Sequence, residues 1–196
     1  YSGVIRNTSI GLASVPGKCR IHTAGADDTT WRGGDTAAFL ESTAEAAKSV
    51  SDYFENGENI VYLHVLNHLS VDCDCRSHPR EPDMHDIGIL ASTDPVALEQ
   101  ASVDLVFAAP DGETLSRRIE EDGGLRSLEY GEEIGLGSRS YRLVSLDGEG
   151  IPSGQSHPYL EKLVSEIVEE ITTPAMSDYE KAKAAFDYII THVSMG

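Results

Sequence analysis

A nearly continuous apolar run, IVYLHVL over residues 60–66, is the clearest predicted strand in the chain. A run without polar alternation is typical of a strand that is buried on both faces of a parallel sheet. Residues 87–90 (IGIL) predict a second short buried strand. Two weaker strand candidates lie at the ends of this region, over residues 18–23 and 141–146.

Helical segments alternate with these predicted strands. Asp35 is a candidate N-cap for a helix that runs to about Phe54. Asp94 and Pro95 open another helix, with the aspartate as N-cap and the proline at the first helical position. Two shorter helices are predicted over residues 113–121 and 125–134. The alternation predicts an α/β fold in layers, with a mainly parallel sheet flanked by helices.

The pattern changes near residue 150. Residues 147–154 (DGEGIPSG) have the composition of a linker, and two amphipathic helices follow. We therefore predict an α/β domain over residues 1–148 and a linker over 149–156. Residues 157–196 form a C-terminal helical hairpin, either as a two-helix appendage or as the start of a further domain. Because the chain begins with Tyr1 in the middle of a pattern, we expect the α/β domain to be N-terminally incomplete.

The charge balance of the 196 residues argues against two classes of partner. Thirty-three acidic and 15 basic side chains leave a formal net charge of −18, which repels nucleic acid and anionic lipid surfaces. No apolar run approaches the roughly 18–20 residues that a membrane span requires. Three cysteines are too few for a disulfide scaffold, so we expect reduced thiols and a cytoplasmic location.

The segment from His68 to Asp86 concentrates nine His, Cys and Asp side chains that can bind metals. Cys73 and Cys75 are two residues apart, so in an extended backbone they face the same side with Cβ atoms ~7 Å apart. Small rotations would bring both thiolates to one metal, and His78 or His85 could complete the site. Two thiolates with an imidazole favour zinc or iron over magnesium.

Other interpretations of these residues remain open. Cys73 and Cys75 could form a structural or redox dithiol, or have no special role, because neighbouring carboxylates raise the pKa of a thiol. His22 follows Cys19 at the end of a predicted strand. His22 could lie at the same edge of the predicted sheet as Cys73 and Cys75 and act as a ligand. Alternatively, it could be a hydrogen-bonded interior group. His64 lies within the apolar strand and is expected in the core.

Common catalytic motifs are absent from the sequence. It contains no G-x-S-x-G, no G-x-x-x-x-G-K-[ST] and no H-E-x-x-H. We therefore assign no catalytic residue and no organic cofactor.

Two stretches carry a family resemblance. Residues 67–75 (NHLSVDCDC) and 86–97 (DIGILASTDPVA) resemble the uncharacterised iron–sulfur-centre family, domain of unknown function 362. The similarity covers about residues 3–147 and includes Lys18–His22 and Gly33–Thr36. It implies an α/β fold and an iron–sulfur or other metal role without a known reaction.

The resemblance also suggests candidate ligands. Cys73, Cys75 and, more weakly, His22 match family positions, whereas His85 is added from its spacing. Many members carry ferredoxin-like C-x-x-C-x-x-C clusters between the His22 region and the following helix. That interval contains no cysteine here, so no ferredoxin-type cluster motif is expected in this chain.

Residues 177–194 (SDYEKAKAAFDYIITHVS) are similar to the entry helix of transglutaminase-like domains. The catalytic Cys, His and Asp of such a domain would lie beyond Gly196, so none is assigned. The alternative is a hairpin that packs on the α/β body or on a second copy.

Three functional hypotheses follow. The first is a metal-binding α/β domain, with iron–sulfur or zinc chemistry that is redox or metal-assisted. The second is a non-catalytic interaction or scaffold module that uses the C-terminal helices, within a homo-oligomer or beside a fused neighbouring domain. The third is an enzyme whose active site needs flanking sequence.

Overall fold

The computed structural model describes residues 3–31, 34–72, 78–145, 170–177 and 184. The chain divides into two compact units, Tyr1–Val144 and Ser145–Gly196. In the first unit the described elements, in chain order, are α1 (Gly3–Arg6), a π-helical turn (Asn7–Gly11), α2 (Val15–His22), α3 (Thr36–Tyr53), a 3-10 turn (Glu55–Gly57), β1 (Tyr62–Leu66), β2 (Gly88–Ser92), α4 (Pro95–Ala108), α5 (Glu113–Glu121) and α6 (Arg126–Glu133).

The predicted helix starts are confirmed at two aspartates. Asp35 caps α3 by accepting a hydrogen bond from the Ala38 backbone N–H at 3.0 Å. Asp94 caps α4 by accepting from the N–H groups of Val96 and Ala97, both at 2.9 Å. These side chains satisfy N–H groups that have no partner within the helix, so each cap can be read from the local sequence.

Helix α4 is the centre of the first unit. Nine of its residues are buried, and it packs against α1, both strands, α5 and α6. A helix that is apolar around most of its circumference is buried on several sides. The core cluster beside β1 and β2 consists of Val4, Tyr62, Leu66, Leu90, Leu98 and Ala101.

The sheet corrects the predicted strand direction. β1 and β2 pair antiparallel, with Tyr62 opposite Ser92 and Leu66 opposite Gly88. The prediction of a mainly parallel sheet is wrong for this pair, although a mixture of helices and strands is present. A parallel pair needs a crossover connection, usually a helix, and residues 67–72 and 78–87 contain no helix.

The two faces of β1 also differ from the prediction. Tyr62 and Leu66 are buried, whereas Leu63 is 57% exposed and Val65 is 54% exposed. Ile89 on β2 is 62% exposed. Within the part of the chain that the structure describes, the sheet is therefore covered on one face only, as antiparallel sheets commonly are.

Two predicted strands are not strands. Residues 18–23 fall mostly within α2, where the Ser14 hydroxyl accepts a hydrogen bond from the Gly17 N–H at 3.4 Å and Pro16 occupies the first turn. A Ser cap followed by a proline favours a helix start. Residues 141–145 have no regular secondary structure, and residue 146 lies outside the described residues.

Little of the second unit is described. Residues 170 and 171 are helical, and residues 172 and 173 are not. The Met176 N–H donates to the Thr173 carbonyl at 3.1 Å in the turn that follows. The predicted linker over 149–156 and most of the predicted hairpin lie outside the described residues.

Candidate functional site

The loop between β1 and β2 carries most of the predicted ligands, and its two ends are fastened together. The Ile87 N–H donates to the Leu66 carbonyl at 2.8 Å. The His68 N–H donates to Asp86 Oδ1 at 2.8 Å. His68 itself has a φ of +50°, a left-handed conformation that non-glycine residues adopt uncommonly. Antiparallel pairing therefore brings both ends of the loop to one edge of the sheet.

Two further hydrogen bonds cross the middle of this loop. The Ser70 hydroxyl donates to the Arg80 carbonyl at 2.8 Å, and the Arg80 N–H donates to Asp72 Oδ2 at 3.1 Å. Both bonds flank residues 73–77, which lie outside the described residues. Cys73 and Cys75, the predicted thiolate ligands, fall in that segment, so their role as ligands stays a prediction.

His85 is held on the same loop by one carboxylate. Its backbone N–H donates to Asp111 Oδ2 at 2.8 Å, and its ring Nδ1 lies 2.7 Å from Asp111 Oδ1. A carboxylate accepts, so Nδ1 is the donor and Nε2 carries the lone pair of the neutral ring. An acidic partner that fixes the tautomer in this way is the usual outer neighbour of a metal-binding histidine.

The His85 pair also changes the acidity of its partner. The hydrogen bond from the His85 backbone N–H, followed by that from the ring, holds the pKa of Asp111 below its ordinary value of 3.8. Asp111 is therefore a carboxylate at any ordinary pH. Asp111 was not among the residues predicted from the sequence, where its signal was a position in a Pro-Asp-Gly turn.

His22 is held at the C-terminal end of α2. Its Nδ1 lies 2.7 Å from the Lys18 carbonyl oxygen, so Nδ1 donates and Nε2 again carries the lone pair. The ring stacks on Phe39 of α3 with centroids 4.9 Å apart. This is the hydrogen-bonded setting that the sequence left open for His22.

The described residues contain no group of three or more His, Cys, Asp and Glu side chains that could hold a metal ion. His22 and His85 each have a fixed tautomer, but neither joins such a group. Asp72, Asp86 and Asp111 are occupied by hydrogen bonds from backbone N–H groups.

A second polar cluster lies inside the first unit, between α1, β1 and α4. The Ser102 hydroxyl donates to the Leu98 carbonyl at 2.8 Å and lies 2.8 Å from His64 Nδ1. Since the hydroxyl proton is already used, Ser102 accepts from His64 Nδ1. A Cβ placed on Gly3 would overlap His64 Nε2, so glycine is needed where the ring meets α1.

Glu99 of α4 completes this interior cluster. It is 1% exposed, and its Oε1 accepts a hydrogen bond from the Ile5 N–H at 3.1 Å. The first N–H groups of a helix have no partner within the helix, and Glu99 supplies one to α1. Sequence reasoning missed this residue, although an acidic side chain among Leu98, Ala101 and Val103 on an apolar helix was the signal.

Burial acts on the ionisation of both interior groups. Burial raises the pKa of Glu99 to about 7, against the opposing hydrogen bonds from the α1 backbone. Burial also lowers the pKa of His64 below its ordinary value of 6.5. A low-dielectric setting disfavours the charged form of each group, so both are neutral over a shared range below pH 7.

A cleft of about 870 Å³ connects the interior cluster with the start of the loop. Its wall includes His64, Glu99 and Ser102 of the interior cluster together with Asn67, His68 and Asp72 of the loop. Arg6 and Lys18 also line it. A cleft of this volume is large enough for a small organic ligand.

No described helix is long and apolar enough to cross a membrane.

The comparisons with known proteins identify a family for part of the chain. The family model described as a domain of unknown function (DUF362) matches residues 1–104, which include α1 to α3, both strands and the loop between them. No curated protein and no solved structure matches the chain.

Proposed function

This chain belongs to the DUF362 family, and on that premise we propose that it is a metal-binding domain. The metal would be iron, in an iron–sulfur or mononuclear centre, or zinc. Cys73 and Cys75 would supply thiolates and His85 an imidazole from the loop between the strands. His22 is the weaker fourth candidate. The fold around this site is the mixed helix-and-strand unit described above.

The observation that supports this proposal is the pairing of His85 with Asp111. The carboxylate receives both the backbone N–H and the ring Nδ1 of His85, at 2.8 and 2.7 Å. This arrangement leaves Nε2 as the basic nitrogen and restricts rotation of the ring. The same loop carries Cys73 and Cys75, which follow Asp72 by one and three positions in the sequence.

The chemistry of the donors favours a soft or borderline metal. Thiolate and imidazole suit zinc, iron and copper, whereas magnesium and calcium prefer oxygen ligands. Asp72 and Asp86 of the loop accept hydrogen bonds from backbone N–H groups, and the proposed donors are therefore sulfur and nitrogen. Bound metal would supply Lewis-acid or one-electron chemistry according to its identity.

Elemental analysis of anaerobically purified protein tests the proposal. We expect about one equivalent of iron or zinc in the wild-type protein and loss of that metal in a Cys73→Ser, Cys75→Ser double variant. Cys19→Ser is the matched control, because Cys19 is a buried free thiol on α2 and its loss should leave the metal in place. Acid-labile sulfide distinguishes an iron–sulfur centre from a mononuclear site.

Two results would reject the proposal. One is wild-type protein that contains no metal and does not take up zinc or iron after reduction. The other is a double variant that keeps the full metal content of the wild type. A His85→Gln variant refines the ligand set, since we expect weaker metal binding and not complete loss when one of several ligands is removed.

A further inference from the structure

Two cations line the cleft without a carboxylate partner. Arg6 ends α1 and Lys18 lies in α2, and both contribute to the wall of the cleft. Neither forms an ion pair in the part of the chain that the structure describes. The Arg6 guanidinium carbon lies 5.7 Å from the centre of the Phe39 ring, which supports the side chain by a cation–π contact.

Two carboxylates of the same cleft, in contrast to these cations, are paired with arginines. Asp72 accepts from the Arg80 N–H at 3.1 Å and lies 3.9 Å from Arg80 Nε. Asp122 lies 2.9 Å from Arg118 Nε. Each of these two negative charges is therefore balanced by an arginine, while Arg6 and Lys18 have no such balance.

The third carboxyl group of the cleft is Glu99, which is buried and accepts from the α1 backbone. Its pKa is raised to about 7, so it carries little negative charge in weakly acidic solution. The remaining titratable groups of the wall are His64 and His68. Among the described charged side chains of the wall, Arg6 and Lys18 are thus the cations without an oppositely charged partner, in a chain whose net charge is −18.

We propose that this cleft binds a small organic anion, with its carboxylate or phosphate group held by Arg6 and Lys18. Apolar side chains on the same wall, such as Ile10, Leu40 and Leu69, would contact the body of the ligand. Arginine and lysine form charge-assisted hydrogen bonds with such groups. A nucleic acid is disfavoured, because its many phosphates would meet the acidic surface outside the cleft.

This inference does not depend on the proposed metal. The cations belong to α1 and α2 and not to the loop that carries Cys73 and Cys75. Calorimetric titration of chelator-treated protein, in low-salt buffer below pH 7, therefore tests the anion site alone. The two probes are inorganic phosphate and benzoate, which distinguish a preference for phosphate from a preference for a carboxylate with an apolar body.

We expect at least one probe to bind, and we expect Arg6→Gln and Lys18→Gln each to weaken that binding about tenfold, as loss of one charge-assisted hydrogen bond does. Arg20→Gln is the matched control. It removes the same charge from α2, but Arg20 lines a different pocket, together with Asp27 and Asp28, and should change binding less than twofold.

Absence of binding by both probes would overturn the proposal. Equal weakening by Arg20→Gln and by the two cleft variants would also overturn it, since the net charge and not the cleft would then govern binding. Circular dichroism checks that each variant is folded. If Arg6→Gln unfolds because it loses the Phe39 contact, the Lys18→Gln variant alone tests whether the cations of the cleft bind the anion.

Discussion

Two half-buried histidines of this protein are held in nearly the same way, but by partners in opposite environments, buried Ser102 and exposed Asp111. His64 Nδ1 lies 2.8 Å from Ser102 Oγ in the interior, and His85 Nδ1 lies 2.7 Å from Asp111 Oδ1 in the exposed loop. Around His64, burial disfavours charge and lowers the pKa of the ring. Around His85, the partner stays ionised, and the pKa of Asp111 falls.

The comparison shows that hydrogen-bond length alone does not determine what a polar pair contributes. A buried polar group that loses its partner retains the full cost of its desolvation, whereas an exposed group regains water. The interior cluster is therefore expected to support stability. The His85–Asp111 pair is expected to position the His85 ring for binding, with little effect on the stability of the fold. Four experiments test this difference.

The largest effect is expected at Glu99, which shares the interior with His64. Glu99→Ala leaves the Ile5 N–H and its neighbours in α1 without an acceptor and opens a cavity. We expect a loss of about 3 kcal/mol in the free energy of unfolding, measured by urea denaturation. Glu120→Ala, at an exposed position on α5, is the control and should change stability little; equal losses would contradict the interior role.

The pH dependence of stability tests the same carboxyl group. Folded protein keeps the Glu99 proton up to about pH 7, whereas the ordinary pKa is 4.5. The folded state thus binds more protons between these values, and its stability from this group is full below 4.5 and is lost as the pH rises through 7. The loss is roughly 3 kcal/mol across the window.

A Glu99→Gln variant isolates that contribution. His64 acts in the opposite direction, because its lowered pKa gives stability that is present above 6.5 and is lost as the pH falls through the folded value. The His64 effect is common to both proteins and cancels in their difference. Parallel curves of unfolding free energy against pH for the wild type and Glu99→Gln would show that Glu99 does not titrate in this range.

Removal of the Ser102 hydroxyl should have an intermediate effect. Ser102→Ala leaves the His64 Nδ1–H without its acceptor in the interior, and we expect a loss of about 1–2 kcal/mol in the free energy of unfolding. Ser49→Ala is the matched control, because the Ser49 hydroxyl also donates to a helix carbonyl but is exposed. A Ser102→Ala variant as stable as the control would remove the distinction between the two histidine sites.

The smallest effect on folding is expected for Asp111. Asp111→Ala exposes the His85 ring to water, so the denaturation midpoint should stay within experimental error. Zinc or iron affinity, in contrast, should fall about 10–100-fold if Asp111 orients a ligand. Stability and metal titration measured on one preparation separate these outcomes. A clear loss of stability, with unchanged metal affinity, would make Asp111 a structural residue.

Several elements were predictable because their causes are local. The caps at Asp35 and Asp94 lie within three residues of the N–H groups that they accept from. Helix α5 has the predicted bounds, Glu113–Glu121, and α6 (Arg126–Glu133) lies within the predicted range. The predicted strand over 60–66 contains β1. These signals depend on residues that are close to one another in the sequence, so the sequence alone contains them.

The predicted strand over residues 18–23 failed for a related reason. A short apolar segment does not distinguish a strand from a buried helix by its period alone. Ser14 and Pro16, which favour a helix start, precede Cys19 and Ile21, and these two residues are buried in α2. The cap and the proline were the stronger local signal in this segment.

The amino-acid sequence by itself determined the starts of α3 and α4, the position of β1, the negative net charge and the loop that holds the candidate ligands. Only the tertiary structure decided that β1 and β2 run antiparallel, and which groups meet across the chain. Glu99 reaches Ile5 over 94 positions, His64 reaches Ser102 over 38, and His85 reaches Asp111 over 26. Contacts at such separations depend on how the helices and strands pack together, and no local pattern of residues encodes that packing.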